Sequence, residues 1–159
     1  SDILPNGDMS EITLRAFSME DPAYLSQWYR DDREGIEAIM GIELPSELQS
    51  TMAFNTILEK QQHETAIFRM AYRENEPIGF AFVTHISPED RSGLASYYVA
   101  KEKRRYSLDV FRESEREAKR LGFRGFLVAI DQSNGRSLKI AKRLGYKEVK
   151  RVMLVKEFA

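Results

Sequence analysis

The sequence predicts an α/β fold, a mixed twisted sheet with helices on both faces. Three observations lead there. Apolar residues alternate with period two in short runs through the first two thirds of the chain, the signature of strands. One pair of runs, around Ala66–Tyr72 and Ile78–Ile86, is separated by the turn residues Glu74-Asn75-Glu76-Pro77 and reads as a hairpin. A long amphipathic stretch, Ser107 to Leu121, lies between two further runs and makes a strand–helix–strand crossover.

The elements follow in order. Ser1–Asp8 carries Pro5 and Gly7, shows no period, and is expected to be a leader or tag; residues 9–159 are expected to form one domain. Ile12, Leu14 and Ala16 alternate with Thr13, Arg15 and Phe17 as a first strand. Asp21-Pro22 offers an N-cap with proline in the first helical position, and Tyr24, Leu25, Trp28 and Tyr29 form the apolar stripe of the helix that follows. Asp31–Gly41 fits a short helix or loop. Pro45 to Lys60 is expected to be another helix, burying Leu48, Met52, Ile57 and Leu58. After the hairpin, Leu94–Ala100 is a fourth strand whose neighbours Tyr97 and Tyr98 must face opposite sides. A basic loop, Lys101 to Arg105, leads into the long helix, with Phe111, Ser114, Ala118 and Leu121 inward and Gly122 as its stop. Phe126–Ile130 reads as a buried strand. Asn134–Leu144 reads as a second helix, with Leu138, Ala141 and Leu144 inward, and Glu148–Val155 as a last strand.

Composition bounds the function. At 159 residues the chain can build a substantial core. The net charge of −1 gives no global field for nucleic acid or a membrane surface. With no cysteine, disulfide and thiol chemistry are excluded, and a cytoplasmic protein is expected. No apolar run approaches the roughly 18 residues of a membrane span. His63 and His85 share no metal-ligand spacing, so no metal is expected.

Two strands that each deliver a helix from their carboxyl ends make a place where backbone amides can hold an anion. At that place stand Asp131-Gln132-Ser133-Asn134-Gly135-Arg136-Ser137 and then Ala141-Lys142-Arg143-Leu144-Gly145-Tyr146. This pattern, with the turn before Pro77-Ile78-Gly79, resembles the GNAT superfamily of N-acetyltransferases, in the branch that acetylates protein amino termini, ribosomal proteins and small amines. The resemblance covers nearly all of Ile12–Val155. It implies the acyl-CoA N-acyltransferase-like fold, acetyl-CoA as co-substrate, and an amine acceptor on a protein terminus, a lysine or a small molecule. It further implies that Val99 pairs with the pantetheine arm, that Lys103, Arg104, Arg105, Tyr106, Ser107, Leu108 and Asp109 form the pyrophosphate loop, and that Asn134 contacts the cofactor arm. A homodimer is compatible with it.

The chain departs from that pattern twice. The family loop, glutamine or arginine followed by spaced glycines, reads here Arg104-Arg105-Tyr106-Ser107-Leu108-Asp109. Glycine lets backbone approach a phosphate, whereas Asp109 competes with an anion for the helix dipole. Ser107 and Asp109 also suit a helix start with no ligand at all. Lys101, Lys103, Arg104 and Arg105 offer charge in exchange. The second departure is Ala141, which occupies the slot of the family's tyrosine acid and leaves Ser137 as the local hydroxyl. Glu34, Glu37 and His85 are candidate bases, and Tyr97, Tyr98 and Glu34 candidate acceptor contacts. Two alternatives stay open: a catalytically silent binding module of the same fold, and a nucleic-acid binder using Lys101–Arg105 with Lys147, Lys150 and Arg151.

Overall fold

The structure, a computed structural model, describes residues 11–40, 66–150, 154 and 156–158. The expected leader Ser1–Asp8 and the expected helix Pro45–Lys60 lie outside the described residues. The elements are β1 (Ile12–Ala16), α1 (Asp21–Asp31), α2 (Arg33–Met40), β2 (Ile67–Arg73), β3 (Glu76–Ser87), β4 (Ser92–Val99), a 3₁₀ segment (Lys101–Tyr106), α3 (Ser107–Arg120), β5 (Gly125–Leu127) and α4 (Gly135–Arg143). The sheet runs in chain order, β1-β2-β3-β4-β5. The first four strands are antiparallel to their neighbours, and β5 is parallel to β4.

Helices cover both faces, as expected. On one face Leu25, Trp28 and Tyr29 of α1 and Ile36 of α2 pack on Phe68, Met70, Phe80, Phe82 and Tyr98. Phe80 is fully buried at the centre. Its ring centroid lies 5.3 Å from those of Phe68 and Tyr98 and 6.0 Å from that of Phe82. On the other face Val110 of α3 packs on Ile12, Ala71, Ile78 and Val99. Burial of one such side chain contributes about 1.5–3 kcal/mol, so the two clusters hold most of the described core. Tyr97 and Tyr98 face opposite sides: Tyr98 joins the first cluster and Tyr97 packs against the second.

A bulge explains one break in alternation. Ala71 pairs with Gly79 but Tyr72 pairs with Pro77, so Ile78 is an extra residue on β3. Ile78 therefore turns to the α3 face although Phe80 and Phe82, of the same parity, face α1. Gly79 sits against β4 so closely that a β-carbon there would lie 2.0 Å from the Tyr98 carbonyl oxygen.

The structure corrects several expectations. Asp21 is not a helix cap. It is the first helical residue, buried, and its carboxylate accepts hydrogen bonds from the Ser18 N–H (2.6 Å) and the Tyr72 hydroxyl (3.1 Å). Satisfying those buried donors fixes it under the sheet rather than at the helix end. β3 begins at Glu76, which leaves a two-residue turn with Glu74 at a φ of 60°. Leu121 is 40% exposed, because α3 ends at Arg120 and the chain turns at Gly122, whose φ is 92°. Phe126–Ile130 is not a buried five-residue strand. Only Gly125–Leu127 is strand, and Leu127 is 53% exposed. Of the expected last strand, residues 148–150 are not strand, and most of the rest lies outside the described residues.

Candidate active site

The short β5 creates the site. It pairs with β4 only at Ser92↔Gly125, Gly93↔Phe126 and Leu94↔Leu127. Beyond Leu127 the chain leaves the sheet and enters a turn. There the Asp131 carboxylate accepts from the Ser133 N–H (2.8 Å) and hydroxyl (2.6 Å), bonds that hold its pKa below the ordinary carboxylate value. Among the described residues, the rest of β4 therefore has no strand partner on that side. Its backbone direction follows from one contact: the Ala100 N–H donates to the Ile78 carbonyl at 2.8 Å. Antiparallel alternation then makes Tyr98, Ser96 and Leu94 the residues that bond β3. The intervening Tyr97 and Val99 turn their N–H and C=O groups toward the fork.

A cavity of 870 Å³ opens there, between α2, the carboxyl half of β4, the 3₁₀ segment and the start of α4. Tyr97, Val99, Arg104, Ser107, Asn134, Ser137 and Glu34, seven of the residues expected at the site, line it. A second cavity of 60 Å³ shares Tyr97, Asn134 and Ser137 with it and is lined also by Ala95, Phe111 and Val128. The Asn134 side chain caps α4 by accepting from the Ser137 N–H at 3.2 Å, which aims the first turn of that helix at the cavity. The Ser137 side chain lies close to the Tyr97 hydroxyl. Burial raises the Tyr97 pKa, and the nearby Ser137 side chain and the Arg136 charge offset only part of that rise. Below Tyr97 a column of rings fixes its position, with Phe111 at 4.9 Å and Tyr146 another 5.2 Å on.

The remaining expected residues point elsewhere. Lys103 pairs with Glu76 at 3.1 Å. The Arg105 guanidinium lies over the Tyr106 ring, 4.7 Å from its centroid, and Tyr106 packs against the second core cluster. Leu108 is half-buried in the first turn of α3. Asp109 faces Arg112 at 3.8 Å and is not among the residues lining the cavity. Ser107 makes no side-chain cap; it is buried, and its N–H is taken by the Arg104 carbonyl. Of the candidate bases, Glu34 and Glu37 line the cavity, and Glu37 also pairs with Arg33 at 3.2 Å. His85 sits at the far end of β3, bonded to the Thr84 hydroxyl.

The sequence reading missed Asp32 and Arg136, while Lys101, offered as a phosphate cation, does line the cavity. Asp32 is buried and accepts hydrogen bonds from the Gly35 N–H (3.2 Å), the Tyr98 hydroxyl (2.8 Å) and the Arg104 guanidinium. Burial, then the Asp32 bond and charge, push the Tyr98 pKa well above its ordinary value. Arg136 donates to the Arg104 carbonyl and so ties α4 to the 3₁₀ segment. Asp-x-x-Gly at residues 32–35 was the one local sign of an N-cap; its partners 66 and 72 residues away left none.

The model of the acetyltransferase (GNAT) domain matches residues 11–147. The chain belongs to the GNAT acetyltransferase family. No curated protein matches it in sequence. Solved GNAT structures share its fold at low identity. The ribosomal L7/L12 alpha-N-protein acetyltransferase RimL, in complex with coenzyme A, superposes with a TM-score of 0.72 at 16% identity, over 84% of this chain and 78% of that one. The spermidine N-acetyltransferase of Vibrio cholerae, in complex with CoA and spermine, gives 0.73 at 15% identity, over 93% and 86%. The aminoglycoside N-acetyltransferase AAC(6')-Iy, in complex with CoA, gives 0.68 at 15% identity, over 99% and 100%. The sheet fork and the covering helices are thus those of a GNAT fold, although its loop lacks the glycines. Among the described residues no group of acidic or histidine side chains is placed to hold a metal ion, and no helix is long and apolar enough to cross a membrane.

Proposed function

We propose that the protein transfers an acetyl group from acetyl-coenzyme A to an amine in the cytoplasm. One observation carries this reading: β4 and β5 part after Leu94 and Leu127, and Tyr97 and Val99, whose backbone groups alternate away from β3, line the resulting cavity. A pantetheine arm is an extended chain with two amide groups. It matches a strand edge whose N–H and C=O groups have no strand partner among the described residues. At the cavity mouth, Lys101 and Arg104 supply positive charge and the first turn of α4 supplies amides, which suits the phosphates. The glycine-poor loop fits this use because its worst member, Asp109, turns to Arg112. That same turn weakens the case for a silent module.

The chemistry follows from the residues present. A neutral amine attacks the thioester carbonyl, the N–C bond forms, and the negative charge gathers on the carbonyl oxygen. A backbone N–H on the free edge of β4 stabilises that charge. The C–S bond then breaks, and the proton lost by nitrogen ends on sulfur. Ser137 and Tyr97 stay protonated at neutral pH and act as hydrogen-bond donors to the departing thiolate. A tyrosine with a raised pKa is a weaker acid than a thiol of ordinary pKa near 8.5, so these hydroxyls steady the sulfur rather than surrender a proton to it. The acidic residues Glu34 and Glu37 on α2 line the cavity, which supports them as acceptors of the amine's proton.

Two measurements test this. Acetyl-coenzyme A at about 100 times its dissociation constant should stabilise the fold by about 2.7 kcal/mol in a thermal melt. No shift at millimolar acetyl-coenzyme A sinks the reading. Thiol release with a panel of peptides, lysine derivatives and polyamines should then identify the acceptor, with Ser137→Ala lowering kcat more than it raises KM.

A further inference from the structure

Arg104 is the one arginine of the basic loop whose guanidinium lines the cavity, and the structure shows what holds it there. Its guanidinium donates to the carboxylate of Asp32, on the opposite wall, between α1 and α2. Asp32 is itself fixed from three directions. Its backbone N–H donates to the Trp28 carbonyl at 2.7 Å, its carboxylate caps α2 at the Gly35 N–H, and the buried Tyr98 hydroxyl donates to it from β4. A carboxylate held this rigidly fixes any side chain that binds it. Arg104 is otherwise a long, rotamer-rich chain on a surface segment, with its side chain 34% exposed. Among the described residues, one of its five N–H donors is taken, by Asp32, and the others can reach an anion.

Gly35 points the same way. It is the third residue of α2, and glycine disfavours helix relative to alanine because it loses more backbone freedom. A β-carbon there would sit 2.4 Å from an Asp32 carboxylate oxygen and 2.8 Å from an Arg104 guanidinium nitrogen. The space that glycine leaves is filled by the Asp32–Arg104 pair.

Resting on the reading of this cavity as an acyl-coenzyme A site, we propose that Asp32 is a positioning residue: it aims the Arg104 guanidinium at the phosphates of the co-substrate, and Gly35 makes room for it to do so. Asp32 acts through Arg104. The arrangement replaces with one aimed cation part of what the missing glycines of the loop would supply as backbone amides.

The test is the dissociation constant of acetyl-coenzyme A, measured by calorimetric titration, for the wild type and four variants. Arg104→Met removes the cation. Asp32→Asn keeps the cap and the size of the side chain but loses the charge pair. Gly35→Ala keeps both charges and displaces them, in a position where alanine favours the helix. The fourth variant combines Asp32→Asn with Arg104→Met. Loss of one aimed arginine is expected to weaken binding about tenfold, and loss of its aim about three- to tenfold, the range for freeing one rotamer-rich side chain. The combined variant should bind no more weakly than Arg104→Met alone. A merely structural Asp32 would instead weaken binding by the same factor whether or not Arg104 is present, and that result overturns the proposal. So does wild-type affinity in both Asp32→Asn and Gly35→Ala. If the wild type itself fails to bind acetyl-coenzyme A, the reading of the site falls and this proposal falls with it. If the wild type binds and only the variants fail to differ, the proposal falls alone.

Discussion

The two sides of β4 use the same backbone in opposite ways. Toward β3 the strand is paired from Leu94 through Val99, and the rings of Phe80 and Tyr98 stack across the pair. Toward β5 it is paired for three residues and then released. The first side satisfies its hydrogen bonds internally and is covered by aromatic side chains. Among the described residues, the second leaves amides without a strand partner beside a wide cavity lined by charge. Folding free energy is gathered on one side, and binding capacity is kept on the other. The lesson is that this site is built by ending a strand early. The chemistry-bearing side chains are then brought to the fork by three separate segments, α2, the 3₁₀ segment and α4.

The comparison is broken most severely by emptying the paired side. Phe80 is fully buried between Phe68, Phe82 and Tyr98. Phe80→Ala should destabilise the fold by about 3–5 kcal/mol, through lost burial and the cavity it leaves. Urea unfolding followed by tryptophan fluorescence measures it, since Trp28 lies 6.4 Å from Phe80. A cost under about 1 kcal/mol would mean the aromatic cluster is not the centre of stability.

A substitution at the seam should damage both sides together. At Gly79 a β-carbon would meet the backbone oxygen of Tyr98, which cannot rotate away. Gly79→Ala should cost about 1–3 kcal/mol by forcing β3 and β4 apart. Because Val99 is paired to Gly79 and lines the cavity, the same shift should also weaken acetyl-coenzyme A binding. Lost stability with unchanged affinity would show that the two sides of β4 move independently.

How much of this was legible in the sequence follows the same division. The paired side was readable because period-two alternation and a turn are local signals. Ile12–Ala16, the hairpin and the opposite facing of Tyr97 and Tyr98 all follow from them. The bulge at Ile78 was not, since it is set by the register between two strands. At the fork the motif from Asp131 to Ser137 was readable, and Asn134 and Ser137 do line the cavity. The end of β5 at Leu127 was hidden because Val128, Ala129 and Ile130 continue an apolar run that reads as strand. The basic loop was read as one cluster, yet only Lys101 and Arg104 of its cations line the cavity, while Lys103 pairs with Glu76 and Arg105 lies over Tyr106. A 3₁₀ segment sends neighbouring side chains in different directions, and composition carries no such information.

The fork side is sharpened by a smaller change. Asn134→Ala removes the cap of α4 and should cost about 1 kcal/mol. Because that cap also orients the helix turn carrying Ser137, affinity for acetyl-coenzyme A should fall in the same variant. Asn134→Asp keeps the cap but sets a carboxylate beside the phosphate region, so it should restore stability and not affinity. Equal behaviour of the two variants in both assays would separate Asn134 from the ligand.

Tyr98 gives the finest probe, because its hydroxyl ties the paired side to Asp32. Its pKa is raised by burial first, and then by the hydrogen bond to the Asp32 carboxylate and by that carboxylate's charge. A group whose folded pKa lies above its unfolded value of about 10 gives full stability below pH 10 and loses it as pH rises beyond. The folded state then holds a proton that the unfolded chain has released. At pH 8 Tyr98→Phe should be less stable than the wild type by about 0.5–1.5 kcal/mol, the worth of one hydrogen bond. Between pH 10 and 11 the wild type should lose up to about 1.4 kcal/mol through Tyr98, a loss the phenylalanine variant does not share. The gap between the two should therefore narrow or close at pH 11. Urea midpoints at the two pH values measure it. A gap that stays constant would mean that Tyr98 titrates in the fold as it does in the unfolded chain, with the Asp32 contact opening freely to water.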